Sequence, residues 1–383
     1  MSVKVVNPNQ SQLGCPAKIQ QLEQKIAQIT QECGAVKYCA CSSPGKGTSQ
    51  DPYKIANIQD LQKLRSTWKN HQGKYFIVTQ NIDLSSIANF VPLPPFKGIL
   101  DGNNKKILHL KIDGTHLSSQ RNTGLFTTIA RTGQVKNLRL ENVLVKGTQY
   151  VGGLAGELSG RIDNSYVTGQ VSGTDGYVGG LVGRSDRGSK ITDSYATAKV
   201  SGTYSVGGLV GHLFESTIQS SYATGTVSGI RSGIGGLVGT LYGTIQRSYA
   251  TGNVLGGYYL GGLVGLIGSR GPTFHVKVNN SYATGSVSGE VIIGGLTGNN
   301  RGTIANCYAI GQVIARRLDR VGGLVGLNSR RIENSYGKQQ LRSTNTLGAK
   351  TDTELKTPST FTGWDTRVWT LSQNQYPKLK RLN

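Results

Sequence analysis

One short glycine-rich segment recurs along most of the chain and constrains what the chain can fold into. It is VGGLAG at residue 151 and VGGLVG at 178, and close copies begin at 206, 234, 260, 293 and 321. The spacings between these copies are 27, 28, 28, 26, 33 and 28 residues. A period of this length is typical of architectures in which each repeat packs only on its neighbours. We therefore expect a repeat array rather than a set of separate globular domains.

Each repeat contains short β-prone runs broken by glycine, with no helical periodicity. A propeller blade needs about 40 residues, so one coil of a parallel β-helix fits the period better. The predicted fold class is therefore all-β, a parallel β-helix in which like residues stack about 4.8 Å apart. One predicted interior ladder consists of Leu154, Leu181, Leu209, Leu237, Leu263, Leu296 and Leu324. A second consists of Val171, Val200, Val227, Val254, Val287 and Val313.

A second recurring segment, SYATG, occurs at 221–225, 248–252 and 281–285, with near-copies in the other repeats. If the small residues of this strand point inward, its tyrosines form an exposed ladder suited to sugar rings or partner surfaces. If the tyrosines point inward, they belong to the core. Both interpretations stay open, because a corner precedes the tyrosine and the alternation of faces cannot be counted through it. The tyrosines are Tyr166, Tyr195, Tyr222, Tyr249, Tyr282, Tyr308 and Tyr336.

The segment GGLVG…GTIQRSYATGNV resembles the GLUG motif, a repeat of bacterial surface adhesins and of non-catalytic regions of secreted bacterial proteases. The resemblance covers residues 123–337 and implies a β-solenoid with a structural or adhesive role. Residues 49–112 resemble the module that often precedes such repeats, and 363–380 resemble their usual ending. The predicted organisation is an N-terminal extension (1–41), a linker (42–50), a capping module (51–122), the repeats (123–337) and a C-terminal cap or tail (338–383).

The N-terminal extension is predicted to be helical over residues 16–33. Its apolar seam of Ile19, Leu22, Ile26 and Ile29 favours either self-association or packing of a single amphipathic helix. Cys15, Cys33, Cys39 and Cys41 lie within or beside this helix. Their spacing is unlike that of a zinc site, so disulfides within or between chains are the preferred prediction. No metal and no cofactor are expected.

The residues suggest no catalytic site. Glu157, Asp175, Asp186, Glu215 and Glu290 share no obvious row of the repeat, and Asp163 and Asp193 differ in their offset from the tyrosine. We therefore predict that the chain is not an enzyme but a rigid, surface-displayed rod that binds partners or glycans and assembles into a larger structure. The alternatives are a glycan-cleaving enzyme like a phage tailspike and a basic virion component that contacts nucleic acid.

Charge and hydropathy bear on partners and location. The formal net charge of +22 favours polyanions such as anionic glycans or other anionic polymers, with nucleic acid a less favoured partner. No run of 18 apolar residues is present, so no membrane span is expected. The first residues lack the apolar run of a secretory signal. The predicted location is extracellular, at a cell surface or at the surface of a virion or filament.

Overall fold

The computed structural model describes residues 45–115, 121–268 and 276–380. Their strands form a parallel β-solenoid of about nine turns. Two long sheets of 17 and 23 strands run along it, and a third sheet contains two strands. Strand pairing in the long sheets is parallel, whereas Trp369–Thr370 and Lys378–Leu379 pair antiparallel. The predicted all-β parallel β-helix is confirmed.

Each coil of the repeat region has four strand positions, named here rows a to d. Row a contains Asn122–Thr123, Tyr150–Gly152, Tyr177–Gly179, Tyr204–Gly207, Ser232–Gly235 and Val321–Gly322. Row b contains Phe126–Ile129, Ala155–Leu158, Val182–Ser185, Val264–Ile267, Thr297–Asn300 and Val325–Asn328. Row c contains Gln134–Lys136, Arg161–Asp163, Lys190–Thr192, Lys277–Asn279, Thr303–Ala305 and Ile332–Glu333. Val210–Gln219 and Val238–Gln246 each span rows b and c without a break.

Row d carries the tyrosines. It contains Arg139–Gly147, Tyr166–Gly173, Tyr195–Ala196, Lys199–Gly202, Tyr222–Ala223, Val227–Gly229, Tyr249–Ala250, Tyr282–Ala283, Tyr308–Ala309, Val313–Ala315 and Tyr336–Lys338. Two further strands, Val254–Gly261 and Val287–Gly294, run from row d into row a of the next coil. Ala349–Lys350 pairs with the last row d strand.

The first coils precede the glycine-rich repeats. Tyr53–Ile55, Tyr75–Val78 and Ile99–Asp101 stack in line with row c, and Ile82–Asp83, Lys106–Leu108 and Lys111–Asp113 stack in line with row d. The segment DGNN at residues 101–104 therefore joins strands of two different sheets. It forms a coil corner, with positive φ at Asn103 and Asn104.

One α-helix, Ile58–Ser66, is present in the described residues, together with the 3₁₀ turns Trp68–Asn70, Glu354–Lys356 and Pro358–Phe361. Asn57 caps the helix, because its side-chain oxygen accepts a hydrogen bond from the Asp60 backbone N–H. Leu61 and Leu64 are buried, so the apolar side of the helix lies against the solenoid.

The core of the repeats is a set of stacked columns. The seven predicted leucines are all buried, with at most 1% exposure. The valine ladder is buried from Val171 to Val287, but Val313 is only half-buried, which corrects the prediction at that coil. Stacking is close because parallel pairing places identical positions in register, such as Val200 opposite Val227.

A sharp corner joins rows c and d in every repeat. The corner residue has a positive φ, a conformation that favours asparagine over most other residues. The corner residues are Asn137, Asn164, Asp193, Ser220, Arg247, Asn280, Asn306 and Asn334. The residue after each corner, usually serine, points into the coil. Its hydroxyl donates to the carbonyl two residues earlier and accepts a backbone N–H from the preceding coil, as Ser221 does for Gln219 and Ser194.

Glycine fills the tightest contact between coils. A Cβ placed on Gly236 would lie 2.1 Å from the carbonyl oxygen of Gly262, the equivalent glycine of the next coil. Gly180 and Gly208 meet their neighbours in the same way. A Cβ does not fit at these distances, so the Gly-Gly-Leu segment is set by close packing of one backbone on another.

Some predictions concern residues outside the described ranges. The seam Ile19, Leu22, Ile26 and Ile29 and the cysteines Cys15, Cys33, Cys39 and Cys41 all belong to this group. Within the described ranges, Cys307 is a free, buried thiol in the place of the corner serine. The helix described here is neither long nor apolar enough to cross a membrane.

Candidate binding surface

The tyrosines of row d lie outside the coil, because the residue after each one occupies the interior. Val167, Ala196, Ala223 and Ala250 have 0% exposure, whereas the tyrosines beside them are half-buried. Of the two interpretations left open by the sequence, the tyrosines therefore form an outer ladder. The corner residue with positive φ explains why the alternation of faces could not be counted through it.

The ladder rings stack face to face. From Tyr166 to Tyr308, neighbouring ring centroids lie 4.6–5.0 Å apart and the ring planes differ by 3–14°. Both faces of an inner ring are therefore covered by neighbouring tyrosines. The inner rungs of the ladder therefore present ring edges and phenol groups outward, rather than ring faces.

The first rung of the ladder is held by charged residues of the preceding coil. The Tyr166 hydroxyl donates a 2.5 Å hydrogen bond to Glu141, and Arg139 lies 5.9 Å from the centre of the Tyr166 ring. Burial and the bond to Glu141 raise the pKa of Tyr166. The same hydrogen bond lowers the pKa of Glu141, helped by Lys106 at 3.1 Å.

The C-terminal segment covers the other end of the ladder. The indole rings of Trp364 and Trp369 are almost fully buried against Tyr308, with centroid distances of 6.3 and 6.0 Å. The Tyr308 hydroxyl donates a 2.7 Å hydrogen bond to the Pro377 carbonyl oxygen. The tail cluster is the hydrophobic cluster of Leu355, Phe361, Trp364, Val368, Trp369, Leu371, Tyr376 and Leu379 with Tyr282, Ile310, Tyr308 and Tyr336.

Four ladder tyrosines lie beyond the tail cluster and are called here the N-terminal ladder. They are Tyr166, Tyr195, Tyr222 and Tyr249. Exposed threonines stand two residues after three of them, just beyond the ends of the strands, at Thr197, Thr224 and Thr251. The result is a flat surface of stacked ring edges, hydroxyl groups and methyl groups that runs along several coils. Such a surface suits an extended partner that lies along the solenoid.

The carboxylates are less scattered than the sequence suggested. Glu157 and Asp186 both lie 3.8 Å from the guanidinium of Arg184, so these two acids share one face of neighbouring coils. On the following coil Glu215 pairs with Arg187 of the coil before it, and the other oxygen of Glu215 is buried without a hydrogen-bond partner among the described residues. Asp163 bonds to Thr192 and Gln134, while Asp193 is exposed at a corner. Asp175 lies apart in the loop between rows d and a, and Glu290 lies within the strand Val287–Gly294.

Metal-binding groups do not come together in the part of the chain that the structure describes. No three side chains of histidine, cysteine, aspartate or glutamate are placed there to hold an ion. Burial raises the pKa of the Cys307 thiol to about 12, so the thiol is protonated at neutral pH.

The fold and its ladders define a parallel β-solenoid built from nearly identical coils. The profile of the GLUG motif matches residues 147–172, 174–201 and 202–228. The chain therefore carries the GLUG repeats that its sequence predicted. The matched segments span three successive coils, which include Tyr166, Tyr195 and Tyr222 of the N-terminal ladder.

Two relatives match part of the chain. Halomucin of Haloquadratum walsbyi is 34% identical over 162 residues, which is 39% of this chain and 2% of halomucin. A protein of Evansella cellulosilytica, provisionally named a Gly-rich membrane protein, is 33% identical over 135 residues, or 31% of this chain and 15% of the relative. The matched part is thus a small fraction of both relatives.

Two solved structures share the fold. One, from Bacteroides ovatus and provisionally named an immunoglobulin A1 protease, has a TM-score of 0.50 at 22% identity and covers 88% of this chain and 94% of its own. The other, named IgA1 protease, has a TM-score of 0.54 at 21% identity and covers 68% of this chain and 21% of its own. The prediction that this chain is not an enzyme is wrong on this comparison, because both structures carry the name of a protease. At 22% and 21% sequence identity the comparison shows a shared fold only, and no catalytic residue is transferred to this chain.

Proposed function

We propose that this chain is the partner-binding solenoid of an extracellular protein and that an extended extracellular glycoprotein binds along the N-terminal ladder. The observation that carries the proposal is the row of stacked ring edges and exposed threonines beyond the tail cluster. The names of the relatives support the setting, since one is halomucin and another a Gly-rich membrane protein. Adhesion and assembly into a larger structure belong to the same proposal.

The geometry favours a protein surface over a bare sugar chain as the bound part of that partner. Sugar rings bind aromatic residues through ring faces, and in this ladder neighbouring tyrosines cover those faces. Ring edges and hydroxyls can instead contact the carbonyl groups, aromatic rings and apolar side chains of a protein partner. A rigid, regular surface also loses little conformational freedom on binding, which favours affinity.

Human IgA1 and a secreted mucin are suitable probes, because both are extracellular glycoproteins and IgA1 appears in the names of both structural neighbours. The test immobilises the full chain and measures binding by surface plasmon resonance. The double variant Tyr195→Ser/Tyr222→Ser should lose binding at least about tenfold, as for an interface hot spot. Tyr258→Ser is the matched control, since Tyr258 is 46% exposed and lies in another row.

Two results would refute the proposal: absence of binding to both glycoproteins, or equal binding by the ladder variant and the wild-type chain. The same mixtures also test catalysis. Intact mass measurement of IgA1 after incubation with the chain detects cleavage directly, and the names of the structural neighbours make IgA1 the substrate to examine first.

A second candidate is binding of an anionic polymer at a basic corner. Arg342 lines a shallow groove of about 320 Å³, and Arg316, Arg317 and Arg320 are close in sequence to Ala315, Leu318 and Val321 on its other side. Only the carboxylates of Glu290 and Asp319 pair with this group in the described residues, each at 3.8 Å. Exposed apolar side chains, including Leu318 and Leu341, line the groove.

Binding of hyaluronate to the full chain tests this second candidate. A contact made by several arginines should weaken steeply as salt rises, because charges at a surface are screened. The double variant Arg316→Gln/Arg317→Gln should reduce both the affinity and the salt dependence. The matched control is Lys54→Gln, which removes one exposed positive charge in a distant coil.

A further inference from the structure

The tail cluster shows how an aromatic side chain packs against the ladder. The Trp369 ring lies beside the stacked rings of Tyr282 and Tyr308, at centroid distances of 6.2 and 6.0 Å and at angles of 50° and 57° to their planes. The indole is therefore tilted against the outer side of the ladder. Ring edges carry partial positive charge and ring faces partial negative charge, so this tilted arrangement is attractive.

A hydrogen bond at the coil corner fixes the position of this indole. The Trp369 Nε1–H donates to the side-chain oxygen of Asn280 at 3.1 Å. Asn280 is the corner residue, with φ of 48°, and precedes Tyr282 by two residues. Trp364 uses another corner in a related way, because its Nε1–H donates to the backbone carbonyl of Asn334 at 2.9 Å. Both indoles thus combine ladder edges with an acceptor at a corner.

The N-terminal ladder repeats the same arrangement three coils earlier. Tyr195 and Tyr222 are partners in register, as are Tyr282 and Tyr308. Asp193 is the corner residue two positions before Tyr195, and its φ is also 48°. Its backbone N–H donates to the next coil just as that of Asn280 does. Asp193 is exposed, so its carboxylate offers an acceptor where Asn280 offers an amide oxygen.

We propose that the N-terminal ladder binds a partner segment through a tryptophan, whose ring lies on the edges of Tyr195 and Tyr222 and whose indole N–H donates to Asp193. This inference rests on the proposed role of the ladder as a binding surface and names the chemistry of its partner. A carboxylate acceptor makes the hydrogen bond stronger than the one from Trp369 to the neutral Asn280. The ring edges then supply the apolar part of the contact.

Titration of the full chain with the blocked tripeptide Val-Trp-Thr, the sequence found at 368–370, tests the proposal. Saturation-transfer NMR gives the dissociation constant, which is expected to be in the millimolar range for one side chain. The analogue with a methylated indole nitrogen should bind about tenfold more weakly, because it cannot donate to Asp193. Asp193→Ala should weaken the parent tripeptide by the same factor and leave the methylated analogue unchanged.

Two variants serve as controls. Asp193→Asn retains an acceptor at the corner and should restore most of the affinity lost in Asp193→Ala. Asp175→Ala removes an exposed carboxylate from a different loop and should bind like the wild-type chain.

The proposal is overturned if the tripeptide does not bind saturably, if the methylated analogue binds equally well, or if Asp193→Ala has no effect. Loss of IgA1 or mucin binding in the Tyr195→Ser/Tyr222→Ser variant, together with failure of the tripeptide, would leave the ladder a binding surface and reject tryptophan as its contact. If instead the tripeptide binds as expected and both glycoproteins fail, the tryptophan contact stands and the glycoprotein assignment falls.

Discussion

Replacing Ser221 with alanine measures what one rung of the corner serine column contributes to stability. The column consists of Ser165, Ser194, Ser221, Ser248, Ser281 and Ser335, with Cys307 in the same position. The Ser221 hydroxyl accepts the Ser194 N–H at 3.2 Å and donates to the Gln219 carbonyl at 2.8 Å. Both bonds disappear in the alanine variant.

The loss of stability in the Ser221→Ala variant depends on the Ser194 N–H. Without the hydroxyl, the buried Ser194 N–H has lost its acceptor and is shielded from water. The Gln219 carbonyl keeps its bond from the Asp193 N–H at 3.2 Å and stays satisfied. Leaving one buried polar group unpaired costs about 1–3 kcal/mol, which is the expected loss in the free energy of unfolding.

Urea unfolding followed by circular dichroism measures this loss. The wild-type chain and the variant are compared with the same dependence of the unfolding free energy on urea concentration. Thr224→Ala, three residues along the same segment, is exposed and should change stability by less than about 0.5 kcal/mol. Ser221→Cys should fall between the two, because Cys307 donates to the Ala305 carbonyl from the equivalent position at 3.1 Å. If Ser221→Ala costs no more than Thr224→Ala, the column does not stabilise the stack.

Three other perturbations test the packing. Gly236→Ala should destabilise the chain by about 3 kcal/mol in urea unfolding, since the added Cβ would meet the Gly262 carbonyl oxygen at 2.1 Å. Leu237→Ala should cost about 2–5 kcal/mol and Leu324→Ala less, because the latter lies nearer an end of the array; equal losses would contradict a one-dimensional stack. Burial lowers the pKa of His71 from 6.5 to about 4, so the stability that its neutral ring supports is present above pH 6.5 and lost as the pH falls towards 4. His71→Leu should flatten that part of the pH profile, and an unchanged profile would exclude His71 as the cause.

The periodic part of the fold could be predicted from the sequence because stacking in register leaves a direct trace. Each coil places a leucine such as Leu209 at one interior position, and the period alone identifies the column. Val313 shows the limit of this reasoning. It lies next to the last coil, where fewer neighbours cover it, and it is only half-buried.

The candidate surface could be predicted only in part. The row of tyrosines is evident in the sequence, but their orientation depends on the corner residue, and the φ of a serine or arginine such as Ser220 or Arg247 cannot be read from its identity. The docking of Trp369 onto the ladder could not be foreseen either, because residues 338–380 lie outside the period. Contacts between periodic and aperiodic segments leave no spacing to recognise.

The corners have a consequence for how such a chain changes length. The corners at Ser220 and Arg247 present the same backbone turn, the same inward hydroxyl and the same outward ring, so Tyr222 and Tyr249 mark interchangeable junctions. Removing or duplicating the stretch between two junctions joins surfaces that already match. Because neighbouring coils are nearly identical in sequence, unequal recombination between their coding segments can do this in a single event. The length of the solenoid then changes in steps of one whole coil, and each step adds or removes one tyrosine of the ladder.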